Sequence, residues 1–393
     1  MEELLFDSLA SEEALSEESI IEDNASDNED LDAIDTSELL VYARDWTIET
    51  IISQIKAGNI ELNPKFQRRN AWDDERRSKL IESVVIGYPI PEIVLAEDPV
   101  KKKSFIVIDG KQRLLTLAGF VDPNYSYWDK PFLRKLIVRD DLNTLYYTNF
   151  DDQTKREFDN SSLRCTVITG HKSIDVLFDI FYRLNSGSVS LSTQELRQSL
   201  NRGCFSDFLL DITNTLQPIH QVLGINKPDK RMKDMEIILR IISFLTSPGK
   251  YSGNLKKFLD DQMSYYNEHW IELEKHVKET YSLMNQAISN LFQVFGDYKK
   301  IGRKATENRF NKALFEVEVY YFSKIQSELL TDKSVESFIC SFNKLCEDSL
   351  FRDSIERTTK TLENYNTRYT KFLDIVNSSF GCEISNNPFS THE

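Results

Sequence analysis

Near residue 201 the hydrophobic rhythm of this chain changes, and the change limits the folds open to it. Upstream, short apolar runs alternate with stretches of helical period. Ile60-Glu-Leu62, Ile93-Val-Leu95, Phe105–Ile108 and Leu163–Ile168 have the lengths and side-chain types of strands, and Lys101–Lys103 marks a turn between the second and third. Ile48, Ile51, Ile52 and Ile55 recur at i, i+3, i+4 and i+7, which predicts a helix ending at Gly58. Leu80, Ile81, Val84 and Val85 predict a second helix, opened by Asp73-Asp74. Leu114, Leu117 and Ala118 predict a third, and Ile174, Leu177, Phe178 and Phe181 a later one. Ser192-Thr-Gln-Glu195 has the spacing of a capping box. Residues 121–160 read as a polar, aromatic insertion with one short strand at Leu136–Val138.

Downstream of 201 only the helical period remains. It runs through Met235–Phe244, Leu255–Tyr281, Met284–Phe295, Lys312–Leu330, Val335–Cys346 and Tyr365–Val376. Pro228-Asp-Lys, Pro248-Gly and Gly302 separate these pieces. The expectation is an α+β chain. A small mixed sheet with helices occupies residues 46–200, an all-α domain 201–380, and a flexible tail 381–393.

Charge sets residues 1–45 apart. The first 40 residues hold 15 acids and no Lys or Arg; the other 48 of the chain's 63 acids match its 48 bases. A segment so acidic and so poor in large apolar side chains is expected to be a disordered tail, either solubilising or an acidic mimic of nucleic acid that covers a basic site in cis or docks on a basic partner. Five cysteines (165, 204, 340, 346 and 382) form no C-x-x-C pair, which predicts buried reduced thiols rather than a zinc site or disulfides. No run of about 18 apolar residues predicts a membrane span, and the N-terminus lacks the basic and apolar regions of a signal peptide. A cytoplasmic protein without membrane association is expected.

The stretch Phe105–Leu117 carries the most chemistry. A buried strand ends on Asp109-Gly110 and turns into a helix, a junction whose free N–H groups suit a phosphate. Asp109 could hold a magnesium ion or a water, while Lys111 and Arg113 could neutralise phosphate charge. The plainer alternatives are an Asp109 that caps the helix and an Arg113 that pairs with it at i+4.

Further segments fit a pattern around this junction. They are Phe66-Gln67-Arg68, Trp72, Lys79–Ser83, Gly87-Tyr-Pro-Ile-Pro91, Asp109-Gly110-Lys111-Gln112-Arg113, Arg183-Leu-Asn185-Ser-Gly187 and Leu191–Arg197. In that order they resemble the N-terminal domain of GmrSD-type restriction enzymes, a domain with a ParB/sulfiredoxin-like core and an Asp-Gly-Gln-Gln-Arg signature. The resemblance implies nucleoside triphosphate binding and hydrolysis with Mg2+, in systems that restrict phage or modified DNA. It makes Asp109, Gln112 and Arg113 the catalytic residues, with Asp109 the metal ligand. Gln67, Arg68, Gly110, Lys111, Arg183 and Asn185 become nucleotide-binding candidates. Lys111 stands where the family usually has glutamine, a departure that would strengthen grip on a triphosphate and weaken the positioning of water.

Such restriction enzymes also carry a His-Asn-His nuclease domain, in which a histidine beside an acid binds metal and acts as base. The histidines here (171, 220, 269, 276 and 392) sit in no such motif. The expectation is therefore an NTPase or sensor subunit acting with DNA and a separate effector protein, and no nuclease activity in this chain alone. A non-catalytic sensing module is the alternative. A nuclease with an unfamiliar site, as among some ParB-like relatives, is a third.

Overall fold

The computed structural model describes residues 20–21, 37–62, 72–98, 101–122, 128–171, 176–177, 180, 192–305, 307–384 and 387–389. These form two compact units, one drawn from residues 37–200 and one from residues 201–389 with Ile20–Ile21. The short strand β1 (Ile20–Ile21) belongs to the second unit.

The first unit is built on a five-stranded mixed sheet. Its strands are β2 (Leu40–Thr47), β3 (Ile60–Glu61), β4 (Ile93–Glu97), β5 (Phe105–Asp109) and β6 (Ser162–Thr169), in the order β2-β6-β4-β5-β3. β4 runs antiparallel to β5 and parallel to β6; β3 runs parallel to β5. β4 and β5 alternate between two cores. Ile93, Leu95, Phe105 and Val107 face a large cluster, while Val94, Ala96, Ile106 and Ile108 face a smaller one with Ile168 and Leu177. Burial on both faces is why these strands read as unbroken apolar runs.

The large cluster is covered by α1 (Ile48–Lys56), α2 (Asp74–Ile86), α3 (Lys111–Val121) and α4 (Asp152–Asn160). The caps follow the sequence. Asp73 accepts a hydrogen bond from Arg76 N–H at 2.8 Å to open α2, and Gly87, in the left-handed region, closes it. Ser192 and Glu195 form the expected reciprocal cap of α5 (Thr193–Leu200), which packs on β5.

Two readings of this unit change. β2 begins at Leu40, inside the segment assigned to the acidic tail, because Leu40–Thr47 pairs along its whole length with β6. Leu136–Val138 is not a strand. Its backbone is held as a loop by side chains: Asn143 Oδ1 accepts from Leu136 N–H, and buried Glu82 accepts from Val138 and Arg139 N–H at 3.0 and 2.8 Å. With the Leu136 and Val138 donors met by side chains, the triplet needs no neighbouring strand.

The second unit is helical, with α6 (Cys204–Thr213), α7 (Pro218–Leu223), α8 (Lys233–Thr246), α9 (Leu255–Glu268), α10 (Trp270–Phe295), α11 (Lys312–Phe322), α12 (Asp332–Glu347), α13 (Ser349–Glu356) and α14 (Leu362–Phe380). The strand β7 (Phe310–Asn311) pairs with β1. The expected break at 282–283 is absent and one appears at His269. Just before it, Asn267 bonds Ser206 N–H and the Asn201 carbonyl, tying the end of α9 to the start of α6. α11 stops at Phe322 rather than 330. At its centre buried Glu316 accepts from Arg240, Arg368, Tyr365 and Tyr369, a network satisfied from four sides.

The tail expected from 381 is partly docked. The Phe389 ring lies 4.9 and 4.8 Å from those of Tyr365 and Tyr369, an apolar contact that outweighs the polar residues around it. All five cysteines are free, but only Cys165 is fully buried; Cys204 and Cys340 are exposed. Burial pushes the Cys165 thiol up to about 12, so it stays protonated.

Candidate functional site

β5 ends on the partly exposed Asp109, and Gly110 turns the chain into α3. Gly110 has φ +91°, and a Cβ there would lie 2.4 Å from Ile93 Cδ1 and 3.1 Å from Arg113 Nη2. Glycine is thus required both by the backbone angle and by space. No side chain caps α3; its first helical bond runs from Leu114 N–H to the Gly110 carbonyl. The first-turn N–H groups of a helix left this way carry partial positive charge at one spot.

Arg113 folds back over the turn. Its Nη2 donates to Asp109 Oδ2 at 2.8 Å and to the Glu92 carbonyl at 3.0 Å. One guanidinium therefore joins the end of β5 to the residue before β4. The Arg113 side chain is 13% exposed and its Nε is buried without a partner, while Asp109 is 32% exposed. Asp109 Oδ1 has no hydrogen bond among the described residues. Glu92 is fixed in turn by Thr166, whose hydroxyl donates to Glu92 Oε2 at 2.8 Å. Gln112 takes Thr116 Oγ1 on its backbone carbonyl, and its side-chain oxygen is buried without a partner. Lys111 is buried and engaged within the protein, not extended into solvent as a grip on phosphate requires.

Asp109, Gly110, Gln112 and Arg113 thus meet at one turn. Asp109 does not cap α3; the i+4 pairing with Arg113 is what forms. Gln67, Arg68, Arg183 and Asn185 lie outside the described residues. Trp128 is core, 2% exposed, with the Arg77 guanidinium 5.6 Å from its ring; Trp72 is half-buried under Arg76. In the second unit, Arg303 donates to the carbonyls of Val222, Ile301 and Asn308, and Asn311 caps α11. Glu92 is the member that sequence reasoning missed. Its backbone carbonyl makes the contact, so no side-chain pattern announces it.

A single carboxylate with one free oxygen suits Mg2+, which keeps several waters and shares its remaining positions with phosphate oxygens. No cluster of three or more His, Cys, Asp or Glu able to hold a metal occurs among the described residues. A histidine does meet an acid in the second unit: His220 Nε2 lies 2.9 Å from Asp234 Oδ2. Gln217 N–H donates to Nδ1, so Nε2 carries the proton toward Asp234. Both side chains are fully buried, which closes this pair to substrate and water.

Residues 48–201 match the N-terminal domain of GmrSD restriction endonuclease. The match spans the sheet from α1 onward, the Asp109 turn and α5. No curated protein and no solved structure matches the chain. No described helix is long and apolar enough to cross a membrane.

Proposed function

We propose that the GmrSD-type domain is a ParB-like nucleotide-binding subunit that hydrolyses a nucleoside triphosphate and signals to a separate effector in response to DNA. The observation that carries this reading is the Asp109 carboxylate, aimed by Arg113 and placed beside the uncapped start of α3. Here Asp109 would hold Mg2+, which neutralises phosphate charge, while the N–H groups of α3 take phosphate oxygens. Gln112 would position a water, and Gln67, Arg68, Arg183 and Asn185 are further nucleotide-binding candidates on the family resemblance.

One observation favours a second reading, a non-catalytic sensing module for nucleotide or DNA. The two cations of the signature are already occupied, Arg113 by Asp109 and Glu92 and Lys111 within the interior.

Full-length protein with Mg2+ and each of the four NTPs, with and without duplex DNA, separates the two by phosphate release and calorimetry. Release that Asp109→Ala abolishes supports hydrolysis; binding without release supports the sensor. Binding of no NTP refutes both nucleotide roles, and nicking of supercoiled plasmid would point to nuclease chemistry.

A further inference from the structure

We propose that β7 is a docking edge for this chain's own acidic N-terminal segment, and that the docked segment shields exposed cations of the helical unit from nucleic acid. The inference concerns the second unit and does not rest on the nucleotide reading.

The edge is rigidly built. Asn311 N–H donates to the Gly302 carbonyl at 2.8 Å, its Oδ1 accepts from Leu314 N–H at 2.9 Å, and its Nδ2 donates to the Ile355 carbonyl at 2.7 Å. The Phe310 ring is buried against Phe315 and lies 5.4 Å from the Arg303 guanidinium. Gly302, with φ +67°, allows this packing, since a Cβ there would sit 2.6 Å from Phe310 Cε2. With Gly302 bonded to Asn311, β7 takes up a further strand: Ile20 pairs with Phe310 and Ile21 with Asn311, in parallel.

The occupant is unusual for its surroundings. Within a 40-residue stretch holding 15 acids and no base, the two residues that pair are a β-branched apolar dipeptide, flanked by Glu17, Glu18, Glu22 and Asp23. Residues 297–312 carry the opposite charge: Lys299, Lys300, Arg303, Lys304, Arg309 and Lys312 against Asp297 and Glu307. Lys304 pairs with Glu307 and Glu356, Lys312 with Glu236, and Arg303 is spent on carbonyls. Lys299, Lys300 and Arg309 are exposed and have no ion pair among the described residues. In sequence the four acids stand one to three residues from Ile20–Ile21, and Arg309 adjoins Phe310, the pairing partner of Ile20.

Strand addition of this kind draws affinity from the main chain and selectivity from the side chains. A two-residue strand is weak, yet a segment tethered in cis acts at an effective concentration on the order of millimolar. The dock is therefore filled in the free protein and open to displacement by a polyanion.

The test uses the full chain in three forms: wild type, Ile20→Ser/Ile21→Ser, and Glu17→Gln/Glu18→Gln/Glu22→Gln/Asp23→Asn. Hydrogen exchange of residues 307–315 reads the dock, and anisotropy of a labelled 30-base-pair duplex reads the shield. The serine variant should exchange several-fold faster there, and the charge variant should stay nearer wild type. Both should bind duplex about tenfold more tightly at 50 mM salt, the gain shrinking to about twofold at 200 mM. Unchanged exchange in the serine variant overturns the dock. So does a gain in duplex affinity confined to the charge variant. Faster exchange without any gain overturns the shield.

Discussion

Glu318 offers a test of the helical unit that needs no ligand. Its side chain, on α11, is fully buried. Oε2 accepts from Gly302 N–H at 2.7 Å, and Oε1 is buried without a partner. Burial pushes the carboxyl up to about 8, against the pull of the Gly302 N–H and the Arg303 charge. Between pH 4.5 and 8 the folded protein keeps a proton that the unfolded chain releases. The stabilising contribution is thus complete below the unfolded value of 4.5 and is lost as pH rises through 8. Each pH unit in that window is worth about 1.4 kcal/mol, so the whole window of 4.5 to 8 costs roughly 5 kcal/mol. Among its neighbours, Cys346 is pushed up to about 12 by burial and by Glu318 itself, and Arg303 and Lys304 stay cationic, so none titrates here. Glu318→Gln removes the titration and still offers an oxygen to Gly302 N–H. Urea denaturation of both proteins at pH 5.5, 6.5, 7.5 and 8.5 measures the difference. The variant should gain on wild type by about 1.4 kcal/mol per pH unit, the gain levelling off as pH passes 8. Any constant cost of the amide cancels in that slope. Parallel curves would refute the reasoning.

Further outcomes follow from the first unit. Gly110→Ala should cost about 2 kcal/mol or more in stability, through the positive φ and the contact with Ile93, read as a lower urea midpoint. Asp109→Ala should abolish Mg2+-dependent phosphate release, whereas Arg113→Ala should weaken triphosphate binding roughly 10- to 150-fold in calorimetry, and monophosphate binding less. Glu82→Ala should cost about 1–3 kcal/mol by stranding the N–H groups of Val138 and Arg139, while Glu82→Gln, which keeps an acceptor, should lose far less. Lys111→Gln restores the usual family residue at a buried, engaged position and should leave NTP affinity in calorimetry within about twofold of wild type; weaker binding with faster phosphate release would show instead that the lysine reaches phosphate.

What the sequence disclosed and what it hid divide along a physical line. Ile48, Ile51, Ile52 and Ile55 all turn inward, and Asp73 and Ser192 cap the helices they precede, because period and capping are properties of neighbouring residues. β2 was hidden because its partner β6 lies about 120 residues away, and its exposed, polar-flanked sequence carries no local sign of pairing. Leu136–Val138 misled for the converse reason: its apolar triplet is local, but the Glu82 carboxylate that replaces a strand partner is not.

At the site the same division decides how far the motif can be trusted. The Asp109–Arg113 pair lies four residues apart and was legible; the Glu92 carbonyl that completes the arginine's bonds was not. That hidden bond bears most on function. An arginine held by a carboxylate alone could turn to a phosphate by leaving one partner, whereas Arg113 also fastens β4 to β5. A triphosphate that recruits it must compete with two hydrogen bonds, one of them charge-assisted, so its gain from that contact is a difference of similar terms. An Arg113 that stays in place instead acts by holding the Asp109 carboxylate still. Arg113→Lys separates the two roles. Lysine keeps the charge for phosphate and loses the guanidinium fork, so near-normal triphosphate affinity with a large loss of phosphate release would mark Arg113 as the residue that positions Asp109.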